Sequence, residues 1–100
     1  MRETADVVVI GAGTTGCAIA WHLARSGAAV RLVERSDICA GSSGASPGIV
    51  RQYYADSTLA ILARAGLDAY RHWGEIVGGE CGYRRTVFAT AVSMAQEHAA

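Results

Sequence analysis

The stretch Asp6-Val7-Val8-Val9-Ile10-Gly11-Ala12-Gly13-Thr14-Thr15-Gly16 decides how the rest of this chain is read. A short apolar run enters a G-x-G-x-x-G turn and leaves it in a helical pattern, the order of a βαβ dinucleotide-binding unit. Each glycine has a task that a side chain would obstruct. Gly11 permits the tight strand-to-helix turn, Gly13 lets backbone approach a pyrophosphate, and Gly16 lets the helix lie close on the strand. The helix opening, with Thr14 and Thr15, turns N–H groups and a partial positive charge toward bound phosphates.

Working outward, Ile19, Ala20, Leu23 and Ala24 recur at helical spacing, and Ser26-Gly27 supplies a stop. The second apolar run, Ala29-Val30-Arg31-Leu32-Val33, ends at Glu34, where a carboxylate can accept from both hydroxyls of an adenosine ribose. An acid there disfavours a 2'-phosphate and so argues against NADP. Val7 to Ala24 holds no formally charged residue and is long enough to raise the question of a membrane span. Its three glycines and two threonines, with Asp6 at the entrance, favour the soluble βαβ unit, and no transmembrane span is expected.

Beyond Glu34, Asp37 to Gly48 is rich in Gly, Ser and Ala, contains the only proline, Pro47, and reads as a loop. Its core, Gly41-Ser42-Ser43-Gly44-Ala45-Ser46, concentrates small residues where a bulky ligand can approach backbone, with hydroxyls available for phosphate or ribityl oxygens. That suits a longer dinucleotide such as FAD. Asp56 or Ser57 can then cap a helix from about Thr58 to Val77, with Leu59, Leu62, Gly66, Tyr70, Trp73 and Val77 on its apolar face. Arg64 with Asp68 and Arg71 with Glu75 stand four apart on the opposite stripe. Gly78-Gly79 ends the helix, and Tyr83 to Val92 alternates as a strand would.

The composition excludes several classes. Formal net charge is zero and no basic cluster exceeds Arg84-Arg85, so a nucleic-acid partner is not expected. Cys17, Cys39 and Cys81 are odd in number and lack C-x-x-C spacing, which fits a reducing, cytoplasmic setting rather than a disulfide framework or zinc site. Cys17 reads as a small packing residue. His22, His72 and His98 show no ligand spacing, and no metal is expected. The fold class is α/β: a Rossmann-like βαβ dinucleotide-binding fold, incomplete, with the start of a substrate-binding region. Two parallel strands with one face covered leave apolar strand edges open, so completion by further chain or by a complementing chain is expected.

Nearly the whole chain resembles the FAD-dependent oxidoreductases of the D-amino-acid oxidase, glycine oxidase and sarcosine oxidase superfamily. The resemblance rests on Asp6 through Gly16, on Val33-Glu34-Arg35, on Ala40-Gly41-Ser42-Ser43-Gly44-Ala45-Ser46 and on Gly48-Ile49-Val50-Arg51-Gln52-Tyr53-Tyr54. It implies residues 1–80 as an FAD-binding segment and 81–100 as the opening of a substrate-binding region. It also implies a small amino-acid or amine substrate, with hydride passing to flavin from the carbon that bears nitrogen. Carried over by position, Gly11, Gly13, Thr14, Thr15 and Gly16 surround the pyrophosphate, Glu34 holds the ribose and Arg35 flanks the adenine. Ser42, Ser43 and Gly44 face the phosphate and ribityl side. Arg51 matches a position that binds the substrate carboxylate in the sarcosine-oxidase branch, a task suited to a two-toothed guanidinium. Tyr53 and Tyr54 either line that pocket or simply pack.

The chain departs from the family at three points. Gly48 stands where the sarcosine-oxidase branch carries another basic residue, and Val87 where relatives often have glycine. No histidine occurs between His22 and His72, so flavin held by this segment is expected to be non-covalent. No catalytic residue is named by the pattern. Two further readings stay open at this point: an NAD-dependent dehydrogenase fragment, which Glu34 also allows, and a non-catalytic truncated product or subunit.

Overall fold

The computed structural model describes residues 3–91. Two compact units divide after Gly48, the first running through Gly48 and the second from Ile49.

The first unit is the βαβ unit of an α/β, Rossmann-like fold. Strand β1 (Val7–Ile10) leads through the glycine turn into helix α1 (Thr14–Arg25), and the chain returns as β2 (Val30–Val33). The strands pair in parallel with Val7 opposite Val30 and Ile10 opposite Val33. Asp6 locks the start of the ladder: its N–H donates to the Ala29 carbonyl and its carboxylate accepts the Ala29 N–H at 2.8 Å. At the far end the Gly11 N–H donates to the Val33 carbonyl at 2.8 Å, so pairing reaches into the turn. Helix α1 ends at Arg25, and Gly27 turns the chain with φ +96°.

Along β1, Val7 and Val9 are half-buried and Val8 and Ile10 exposed, as the two-residue period of a strand requires. The exposed row stands out for its chemistry: Ile10 is 86% exposed and Val8 55%. These two residues lie on one face of the sheet, distinct from the strand edges that the sequence predicts to be open. The face of α1 is set one step from the one read in the sequence. Gly16, Cys17, Ala20 and Leu23 are half-buried, whereas Ile19 and Ala24 are exposed, because the close-packing residue is the glycine and the half-buried face is set from it.

Between β2 and Gly48 the sequence reads as loop throughout. The structure instead forms one helical turn, α2 (Ser42–Ala45), entered from Gly41.

The second unit is built on α3 (Ser57–Arg71), followed by a separate turn, α4 (Trp73–Ile76). Asp56 is the N-cap, its carboxylate accepting the Leu59 N–H at 2.9 Å, and Gly78 and Gly79 end the run with φ +99° and +66°. The single helix expected to Val77 is broken at His72, whose φ of −110° and ψ of 23° lie outside the helical region. The ring Nδ1 of His72 lies 2.9 Å from the Asp68 carbonyl, which also accepts the His72 backbone N–H at 3.1 Å.

The apolar stripe is also corrected. Leu67 is the buried residue, with Ala60, Ala63 and Tyr70 half-buried beside it, while Leu59 and Leu62 are 51% and 62% exposed. Both rows step by three and four, and only contact with the rest of the unit separates them. Arg71 pairs with Asp68, three residues back, instead of with Glu75.

Tyr83 to Ala91 forms no strand; Val92 lies outside the described residues. The reason is pairing, since the only sheet among the described residues is β1 with β2, and an alternating pattern needs a partner strand to become one. Tyr83 is used differently: its ring stacks near Tyr70, which stacks in turn near Trp73, at centroid separations of 6.3 and 6.0 Å.

Candidate cofactor site

The residues assigned to a dinucleotide converge in the first unit around Ala12, which is 2% exposed and the most enclosed point there. Its N–H donates to Glu34 Oε1 at 3.1 Å, and its carbonyl accepts the Cys39 N–H at 2.9 Å. One small residue therefore ties the glycine turn to the end of β2 and to the glycine-serine segment.

Glu34 is held at both oxygens. Oε2 accepts the Ser36 N–H at 2.8 Å while Oε1 accepts that of Ala12. These N–H groups, Ser36 first and Ala12 second, hold its carboxyl below the usual carboxylate range, with the adjacent Arg35 charge adding to the effect. A group whose pKa falls on folding stabilises the fold above the unfolded carboxylate value, about 4.3, and loses that contribution as pH falls through the folded value. Glu34→Gln will therefore be less thermally stable than the parent at neutral pH. The difference will shrink as pH is lowered from about 7 to about 3. Paired melting curves check this, and a constant difference across that range contradicts it.

The second meeting point lies over Gly13. The Ser43 hydroxyl oxygen accepts the Thr14 N–H at 3.0 Å and lies 3.3 Å from Thr14 Oγ1. A Cβ on Gly13 would fall 2.8 Å from that same oxygen, so the space above Gly13 is shared with Ser43. On the strand side, a Cβ on Gly16 would lie 1.8 Å from the Gly11 carbonyl oxygen, which makes glycine compulsory there. Gly11 has φ +104° and nothing within 4 Å of the Cβ direction, so its reason is backbone conformation alone.

Gly44 behaves like Gly16. A Cβ would come within 2.1 Å of the Cys39 carbonyl oxygen, and Cys39 itself sits at φ +59°. Cys39 is the residue that sequence reasoning missed. Its N–H anchors the segment to Ala12 and its carbonyl sits against α2, yet a half-buried free cysteine carries no motif that would announce this. Gly11, Gly13, Thr14, Gly16, Glu34, Ser43 and Gly44 are thus brought together. Thr15, Arg35 and Ser42 are exposed on the same unit, while Arg51 belongs to the second unit.

The donor set fits a dinucleotide phosphate. The first turn of α1 contains no acidic residue, Gly13 provides no side-chain cap, and the group nearest that end is the neutral Ser43 hydroxyl. A helix N-terminus whose N-cap residue carries no side chain, and whose first N–H meets only a neutral hydroxyl, favours an anion. Among the described residues no His, Cys, Asp and Glu group could hold a metal ion, and no helix is long and apolar enough to cross a membrane.

Comparison with known proteins accounts for this arrangement. A family described as FAD dependent oxidoreductase matches residues 6–99. The chain belongs to that family. Its cofactor is accordingly FAD, which sets the NAD alternative aside.

Among curated relatives, the chain is 33% identical over 96 residues to the tRNA 5-methylaminomethyl-2-thiouridine biosynthesis bifunctional protein MnmC of Ralstonia nicotianae, covering 92% of this chain and 14% of that protein. It is 38% identical over 79 residues to gamma-glutamylputrescine oxidoreductase of Escherichia coli, covering 77% and 18% respectively. With mitochondrial dimethylglycine dehydrogenase of Rattus norvegicus it shares 28% identity over 85 residues, covering 84% and 10%. The chain thus spans less than a fifth of the length of these relatives. No solved structure gives a significant match.

Proposed function

We propose that this chain supplies the FAD-binding front of an oxidoreductase that oxidises amino acids, or primary or secondary amines, with hydride passing to a non-covalently held flavin. The observation that carries the reading is the joining of two glycine-rich segments, through Ala12 with Cys39 and Thr14 with Ser43, beside the Glu34 carboxylate. The first segment alone would serve any dinucleotide; a second one anchored to it suits the longer FAD. Flavin, when bound, supplies the hydride acceptor.

In this reading Gly11, Gly13 and Gly16 leave room for the pyrophosphate while the opening of α1, at Thr14 and Thr15, directs its positive end toward it. Glu34, held by Ala12 and Ser36, accepts from the adenosine ribose, and Arg35 flanks the adenine. Ser42, Ser43 and Gly44 line the phosphate and ribityl side. Residues 1–80 make the FAD-binding segment and 81–100 open the substrate-binding region. Arg51 binds a substrate carboxylate. Two relatives are named for amine compounds, dimethylglycine and gamma-glutamylputrescine, which supports an amine or amino-acid substrate here. The exposed apolar row of Val8 and Ile10 supports cover of that sheet face by further polypeptide, in the same or a complementing chain. Free Cys17, Cys39 and Cys81 support a cytoplasmic location.

The test is the visible spectrum of the purified natural protein, isolated with whatever polypeptide accompanies it, before and after acid precipitation. Flavin bands that move into the supernatant are the expected result. Bands that stay with the pellet contradict non-covalent binding, and a colourless soluble protein that takes up no added FAD contradicts the reading.

A further inference from the structure

Among the described residues the Arg51 guanidinium meets an aromatic ring and not an acid. Its guanidinium carbon lies 4.9 Å from the centroid of the Tyr54 ring, three residues along the same unit. Among the described residues it forms no ion pair, whereas Arg31 and Arg71 each reach a carboxylate. Tyr54 is 37% exposed against 63% for Tyr53, which turns elsewhere, its ring lying 5.7 Å from that of Phe88. The two adjacent tyrosines, which the sequence leaves equivalent, thus divide into one that packs on another ring and one that meets the arginine.

We propose that Tyr54 is a positioning residue that holds the Arg51 guanidinium over its ring, so that the N–H fork of the arginine meets a carboxylate ligand already oriented. The proposal rests on the assignment of Arg51 to a substrate carboxylate. A free arginine side chain has many rotamers, and ordering them on binding costs affinity; a ring that holds the cation beforehand removes part of that cost. The ring face attracts the cation without consuming any of its five N–H donors, which an acidic partner would do. Tyrosine holds the cation through the face of its ring, so the hydroxyl is dispensable for this role.

The experiment is calorimetric titration of the flavin-loaded protein with acetate, a carboxylate that carries no amine, for the parent and for substitutions at both positions. Tyr54→Leu is expected to weaken acetate binding about 2- to 30-fold, while Tyr54→Phe and Tyr54→Trp keep it. Tyr54→Met, which also removes the ring but retains bulk, is to follow Tyr54→Leu and stands in for it if that variant fails to fold. Unchanged acetate binding in the ring-less variants, or equal loss in Tyr54→Phe, overturns the positioning role. Arg51→Met separates the two levels of the argument. If it leaves acetate binding intact, the Arg51 assignment itself fails; if it abolishes binding while Tyr54→Leu leaves it unchanged, only the role of Tyr54 fails.

Discussion

Gly16→Ala will leave the protein with little or no bound flavin and a markedly lower melting temperature, although only one methyl group is added. The added Cβ would lie 1.8 Å from the Gly11 carbonyl oxygen and 3.0 Å from its carbon. Both atoms are backbone, and Gly11 donates its N–H to the Val33 carbonyl at the end of the strand ladder. Relief therefore requires α1 to lift from β1 or the turn to leave the sheet. Overpacking of this kind costs about 1–3 kcal/mol where side chains can adjust and more where they cannot, a large part of the roughly 5–15 kcal/mol that holds a domain folded.

Gly11→Ala is the control for backbone strain without collision. Its φ of +104° is unfavourable to alanine, but a Cβ there meets nothing within 4 Å, so the penalty is about 1–2 kcal/mol. The expected order of melting temperature and flavin content is parent, then Gly11→Ala, then Gly16→Ala. A Gly16→Ala protein as stable as Gly11→Ala contradicts the close packing of α1 on the turn.

The contrast shows what could be read in the sequence and what could not. The glycine spacing, the apolar runs of Val7–Ile10 and Val30–Val33 and the stop after Arg25 are local signals, and β1, α1 and β2 lie where those signals place them. Asp56 likewise announces itself as a cap because its effect reaches only three residues. Features set by distant contact were not legible. Helix α2 consists of Ser42-Ser43-Gly44-Ala45, in which Ala45 alone is a strong helix former, and the segment that contains it is held by the Cys39 N–H on the Ala12 carbonyl and by the Thr14 N–H on the Ser43 hydroxyl. The phase of α3 was ambiguous because apolar residues occupy two adjacent rows, and the segment from Tyr83 lacked the neighbour a strand requires. At the candidate site the residue types were visible while their reasons were partly hidden. Gly44 stands out only as one small residue among several, until the Cys39 carbonyl is found where its side chain would be.

Gly13→Val tests the site without the fold. A Cβ at Gly13 would approach the Ser43 hydroxyl oxygen to 2.8 Å and the Ser43 Cβ to 3.7 Å, and no backbone atom is among its near neighbours. The obstructing atom is the end of a short side chain that can rotate, so the collision is relieved by giving up the Ser43 hydrogen bond to the Thr14 N–H. That exposed bond can be replaced by water, and the net loss is about 0.5–1.5 kcal/mol. A pyrophosphate has no comparable escape: the branched side chain would stand where its oxygens approach the backbone, and the displaced Ser43 would no longer frame the same space. Gly13→Val is therefore expected to melt within a few degrees of the flavin-free parent yet to bind no FAD, whereas Gly16→Ala loses both properties. Ser43→Ala completes the comparison. It removes the hydroxyl without filling the space, so FAD should still bind, more weakly than in the parent, as measured by quenching of flavin fluorescence. Parental FAD affinity in Gly13→Val would remove Gly13 from the phosphate site, while loss of folding in Gly13→Val would show that Ser43 is not free to move aside.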